Sequence, residues 1–264
     1  MKVKSDKLKT RLMKIPFKGY PITRFIPNMT TLLGLCVGLT AVYHALHQEW
    51  ERSLWFVLIA TVFDGMDGRL ARLFNASSRF GAELDSLSDF VTFGVSPALI
   101  TYFFSLNKLG RLGWGVVLFF CICSGLRLAR FNTISVEPED SFPEAAVALQ
   151  KKYFSGIPMP AAGFLMLLPL MVEIDTGYGV HNYVYAVFGV CIGMLMVSKV
   201  PTFAFKGMKI QPNQILPLLG GIGLFVIGMI TRPWLILPIV GILYIFSFFF
   251  SYKAYRKDLK TLAN

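Results

Sequence analysis

Apolar residues in this chain come in long blocks, not in the short alternations of a β-protein. Eight blocks fall at roughly 30–48, 53–74, 84–106, 113–130, 158–173, 182–199, 214–231 and 234–252. As helices they are long enough to cross a hydrocarbon core of roughly 30 Å. Ahead of them, residues 5–18 interleave Leu8, Leu12, Met13, Ile15 and Phe17 with Lys7, Lys9, Arg11, Lys14 and Lys18. That pattern predicts a basic amphipathic helix lying on a membrane surface, separated from the first apolar block by Pro16 and Pro21. The connection 131–157 is long and polar, and is expected to hold a short helix at 143–153. No internal repeat is visible. The fold class expected is therefore all-α: a polytopic transmembrane helix bundle of about eight spans with an N-terminal amphipathic surface helix. Its parts are a basic juxtamembrane segment (1–29), a single transmembrane domain (30–252) and a basic cytosolic tail (253–264).

Composition agrees with a membrane protein: 55% of the 264 residues are hydrophobic, 16% are charged and the mean hydropathy is +0.58. The net charge of +11 raises nucleic acid as a partner. Its distribution excludes that reading, because no aromatic and basic residues interleave and no groove-reading motif is present. With the N-terminus in the cytosol, 22 of the 26 Lys and Arg fall on the cytosolic side. The excess is topology signal and attraction to anionic membrane lipids, with both termini inside. Cys36, Cys121, Cys123 and Cys191 lie in apolar blocks and read as small core residues, not as a disulfide framework. The first residues lack the apolar stretch of a cleavable signal peptide.

The chemistry is concentrated in residues 64–89, where Asp64, Asp67, Asp85 and Asp89 interrupt apolar sequence. Ionised carboxylates near a bilayer cost a few kcal/mol each and are usually functional. The first pair is three residues apart and the second four, so each pair shares a helix face. Between them, residues 75–81 (NASSRFG) read as a hairpin loop. Folding the helices antiparallel about residues 76–77 sets Asp64 opposite Asp89, and Asp67 opposite Asp85 about one turn away. Facing carboxylates repel unless protons or hard cations lie between them, and four of them suit Mg²⁺ or Mn²⁺, with two ions expected. An EF-hand is excluded, since its ligands fall at alternate residues and end in Glu. Gly68 and Ala71 are small enough for a neighbouring backbone or a ligand to come close. No histidine is available as a base, because His44, His47 and His181 fall toward the opposite membrane face in this topology.

The run Asp64-x-x-Asp67-Gly68-x-x-Ala71-Arg72, then eight residues, then Gly81-x-x-x-Asp85-x-x-x-Asp89 resembles the complete signature of the CDP-alcohol phosphotransferase family. The resemblance implies that Asp64, Asp67 and Asp85 hold metal ions, with Asp89 sharing one and acting as the catalytic base. It also assigns Gly68, Ala71, Arg72, Ser78 and Gly81 to the CDP-lipid. Pro27-Asn28-x-x-Thr31 is similar to the family's other substrate-lining motif. The alternatives are a topology-setting cation for Arg72, an ordinary loop residue for Ser78, and a helix cap for Asn28, which is compatible with lining the substrate. Segments 90–98, 127–132 and 154–162 resemble the branch of the family whose acceptor is L-serine. There Arg127 or Arg130 is a candidate for the serine carboxylate, or else an anchor for lipid phosphate.

The expected activity is transfer of the phosphatidyl group of CDP-diacylglycerol to L-serine, releasing CMP, in what the family resemblance implies is a homodimer. Another acceptor (an inositol phosphate, glycerol 3-phosphate or choline) is the alternative within the family. An intramembrane prenyltransferase would need acidic motifs from distant parts of the chain. A cation or proton transporter would need a continuous polar path, and the outer halves of the spans are apolar. The last three spans show no chemistry of their own. Gly34-x-x-x-Gly38 could pack a helix within the chain or a second copy.

Overall fold

The computed structural model describes residues 25–136, 153–198, 200–203 and 212–262. The surface helix expected at 5–18 lies outside them, as does nearly all of that expected at 143–153.

Helices α1 (Ile26–Leu46) and α2 (Trp50–Leu73) form an antiparallel hairpin. Small residues let them approach: Gly34, Gly38, Ala41 and Ala45 are buried on α1, facing Leu54, Val57 and Ala60 on α2. A Cβ on Gly34 would lie 3.3 Å from Phe63 Cβ of α2, and one on Gly38 would lie 2.9 Å from Thr92. The small-residue motif of the first span therefore packs within the chain. Polar groups in the seam are satisfied internally, as hydrocarbon surroundings demand; the buried Ser53 hydroxyl donates to Ala41 O at 2.8 Å.

Residues 74–78 turn the chain into α3 (Arg79–Asp89), whose N-cap is Ser78. The turn is shorter than 75–81, and Gly81 belongs to the first helical turn. A π-helical segment, Phe90–Val95, joins α3 to α4 (Ser96–Phe104), so residues 79–104 form one rod. A 3₁₀ turn at Leu106–Leu109 leads to α5 (Arg111–Val136), which runs six residues beyond the expected end at 130. Then come α6 (Met159–Met166), α7 (Leu168–Thr176), α8 (Asn182–Val197), α9 (Pro212–Thr231) and α10 (Pro233–Leu262).

Two details depart from an all-helical chain without changing its class. Strands β1 (Tyr153–Ser155) and β2 (Pro201–Phe203) pair antiparallel, Phe154 opposite Thr202. Tyr153 is thus in a strand, not the end of a helix. Each expected span corresponds to a helical rod, and among the described residues five helices are both long and apolar enough to cross a membrane: 26–46, 79–104, 111–133, 159–176 and 233–256. Helix α2 has 24 residues but carries the charges of the site, and α8 has only 16.

The core lies behind the π segment, where Phe93, Ile100, Phe120, Leu165 and Tyr185 are almost wholly buried. Gly163 of α6 sits directly against it, since a Cβ there would lie 2.7 Å from Phe93 O. Outward faces are apolar, with Leu216 and Ile230 of α9 about 80% exposed (80% and 78%), as lipid contact permits. The four cysteines are free, but only Cys123 is buried; Cys36 and Cys191 are exposed, which corrects their reading as core residues.

Candidate active site

Helices α2 and α3 bring the four aspartates together at the end of the bundle beside residues 74–78. Asp64 makes a side-chain hydrogen-bond contact with Asp89, and Asp67 makes one with Asp85. These are the pairs expected from folding about residues 76–77. One oxygen from each of Asp64, Asp67 and Asp85 falls within 4.8 Å of the others, a hard-oxygen donor set that fits a divalent cation. Asp89 stands outside this trio, next to Asp64. Among the described residues no Lys or Arg forms an ion pair with any of the four. Salt bridging by Arg69, Arg72 and Arg79 therefore does not explain the cluster.

Helix α1 braces it. The buried Thr31 hydroxyl lies 2.7 Å from Asp67 Oδ2 and 3.0 Å from Pro27 O. Its single proton serves the nearer, charged acceptor better. Ser88 hydroxyl donates to Thr31 O at 3.3 Å, tying α3 to α1. On the other side Ser86 and Asn132 of α5 exchange hydrogen bonds at 3.1 and 3.3 Å. Ser86 and Ser88 went unremarked in the sequence because they fall between the aspartates at places the motif does not specify. The available signal was two hydroxyls on a helix entering apolar surroundings.

The candidate CDP-lipid contacts divide. Gly68 is exposed, and a Cβ there would meet nothing within 4 Å, so its small size leaves open space above the trio. Ala71 is half-buried, and the exposed Arg72 folds its Nε back onto Gly68 O at 3.1 Å. Ser78 accepts from Gly81 N at 3.0 Å, which gives it a structural task as a cap. Asn28 is not the cap of α1; that place is Phe25, with no side-chain cap. Instead Asn28 meets Gly81, where a Cβ would lie 2.9 Å from Asn28 Oδ1. Pro27 is buried in the first turn of α1.

Arg127 is half-buried in α5, and Asp89 and Tyr244 of α10 are the acidic groups close enough to act on its charge. Its Nε has no hydrogen-bond partner. Arg130 lies about one turn further along α5 and is half-buried. Tyr244 went unnoticed in the sequence, being one phenol among the aromatic residues of an apolar span. His44 and His47 lie at the far end of α1, about 20 Å from Thr31 at 1.5 Å per residue.

Against known proteins, the profile described as CDP-alcohol phosphatidyltransferase matches residues 24–205, more than half the chain. The chain belongs to the CDP-alcohol phosphatidyltransferase family. A second profile, CDP-alcohol phosphatidyltransferase 2, matches residues 214–248, so the last two spans are also family-like. The chain is 33% identical over 235 residues to a protein of Mycobacterium tuberculosis named CDP-diacylglycerol–serine O-phosphatidyltransferase, covering 88% of this chain and 80% of that one. Proteins of the same name from Helicobacter pylori and Bacillus subtilis are 37% and 32% identical over 185 and 183 residues. Those matches cover 69% of this chain, and 73% and 92% of the respective relatives.

Proposed function

We propose that the chain transfers the phosphatidyl group of CDP-diacylglycerol to the hydroxyl of L-serine, yielding phosphatidylserine and CMP. The observation that carries this is the convergence of Asp64, Asp67 and Asp85 with Asp89 beside them, none of the four in an ion pair with a Lys or Arg among the described residues. Serine as the acceptor rests on the relatives' names and on Arg127, whose charge lies near Asp89 and suits a carboxylate.

In this reading Asp64, Asp67 and Asp85 would hold Mg²⁺ or Mn²⁺, two ions with Asp89 sharing one, which would supply positive charge against the diphosphate. Asp89 accepts the proton of the serine hydroxyl. The serine oxygen bonds to the phosphorus next to diacylglycerol as the bond from that phosphorus to the CMP oxygen breaks. Thr31 keeps Asp67 aimed at the trio. Pro27, Asn28, Gly68, Ala71, Arg72, Ser78 and Gly81 line the CDP end, and Arg127 and Arg130 take the serine carboxylate. The trio, both termini and the bound headgroups lie on the cytosolic side, in accord with the Lys and Arg distribution. A homodimer, suggested by family resemblance, is the assembly we expect.

The test is CMP release by purified protein given CDP-diacylglycerol, Mn²⁺ or Mg²⁺, and a panel of alcohols. Serine-dependent release is expected. Release with an inositol phosphate, glycerol 3-phosphate or choline but not with serine would replace the acceptor and leave the family standing.

A further inference from the structure

Thr92 sets itself apart from the other threonines of the bundle. Apart from Thr31, whose proton goes to Asp67, each other helical threonine whose side chain is described places its hydroxyl on the carbonyl four residues back, including Thr30, Thr61, Thr101 and Thr231. That is how such hydroxyls are usually satisfied in apolar surroundings. Thr92 is only 2% exposed, yet its Oγ1 has no hydrogen-bond partner. It sits in the π-helical segment Phe90–Val95, where backbone hydrogen bonds run to the fifth residue back and not the fourth. A buried hydroxyl left this way carries an uncompensated desolvation cost, so its placement calls for an explanation.

Thr92 lines a small cavity whose wall also includes Thr31, Asp64, Asp67, Ser88 and Asp89. The cavity is about 10 Å³, the lower limit of what one water needs. Carboxylates and hydroxyls supply the several polar partners that a buried water needs.

We propose that Thr92 is a positioning residue that holds one water molecule in this cavity and, through it, fixes the carboxylate of Asp89. Thr92 stands three residues after Asp89, and Gly38 of α1 makes room for it. A π segment at this point is the device that frees the hydroxyl for the water. The inference rests on the reading of Asp89 as the base.

The variants are Thr92→Val, which keeps the shape and removes the hydroxyl, and Thr92→Ser, which keeps the hydroxyl and removes a methyl. Thr92→Val is expected to lower kcat for CMP release about tenfold with little change in KM, and Thr92→Ser to retain most of the rate. An experimental map of the wild type is expected to show a water within hydrogen-bond reach of Thr92 Oγ1. In Thr92→Val that water is lost and the Asp89 carboxylate turns. A dry wild-type cavity in a map that resolves other buried waters overturns the proposal. So does Thr92→Val with a wild-type kcat, or equal losses of rate in both variants. If Thr92→Val fails to fold, the wild-type map and the Thr92→Ser rate decide. Wild-type protein that releases no CMP with any alcohol would refute the assigned reaction instead, and the maps would still decide whether Thr92 sets Asp89.

Discussion

The hairpin of α1 and α2 carries a polar cluster at each end, and the two are built on opposite rules. At one end Glu49 is balanced: His44 Nδ1 lies 2.5 Å from one carboxylate oxygen, and Arg52 donates to the other at 2.8 Å. At the other end four carboxylates face each other without an ion pair to any Lys or Arg among the described residues. A balanced cluster closes a helix connection. An unbalanced one, braced by Thr31 and Ser88, has the form of a site whose counter-charge comes from outside the chain. Acidic residues near a membrane indicate function when their neighbours decline to neutralise them.

The contrast can be broken by substitution. Asp85→Asn is expected to cut CMP release by about 10²–10³-fold, as removal of one electrostatic group from a catalytic cluster commonly does, and to weaken Mn²⁺ binding followed by electron paramagnetic resonance. Equal Mn²⁺ binding in the variant would show that the carboxylate is not a ligand. Gly163→Ala acts from behind the site, by driving a Cβ toward Phe93 O. Overpacking of this kind costs about 1–3 kcal/mol, so a lower melting temperature in detergent is expected together with lower activity. Full stability and activity would mean that the π segment tolerates displacement.

Ser78→Ala sharpens the reading of the turn between α2 and α3. Loss of the cap costs about 1 kcal/mol, visible in the melting temperature. If Ser78 also touches the nucleotide, KM for CDP-diacylglycerol rises as well; a change in stability alone would leave it a cap.

The smallest effect belongs to the balanced end. The hydrogen bond from His44, then that from Arg52, holds Glu49 below the usual carboxylate range. A group whose folded value is depressed stabilises above its unfolded value, and that contribution disappears as pH falls through the folded one. Glu49→Gln should therefore flatten the acid side of the stability profile slightly and leave turnover unchanged. A large loss of turnover would mean that the two ends of the hairpin are coupled.

The aspartate pairing was legible in the sequence because helical periodicity and a short turn leave little freedom in how positions 64, 67, 85 and 89 meet. Their bracing was less legible. Thr31 reached Asp67 across 36 residues of sequence, and Ser88 and Thr92 gained their places only when α1 packed on α3 and the π segment. Periodicity carries no sign of a π register, so Thr92 reads as one more residue of an apolar helix. The span count is matched only roughly for a related reason. Blocks of apolar residues mark helices, yet α8 stops at 16 residues and α2 carries charge, features that depend on where helices end and which faces meet. Asn28 was misread as a cap because α1 begins at Ile26, which puts Asn28 inside the helix facing Gly81.

The central claim is that the aspartate cluster takes its counter-charge from bound divalent cations. The direct test strips purified protein with a chelator, supplies CDP-diacylglycerol and L-serine, and follows CMP release as Mn²⁺ is titrated back. The account predicts no turnover in the stripped protein and saturable recovery with Mn²⁺. Turnover at the untreated rate in fully stripped protein would contradict it.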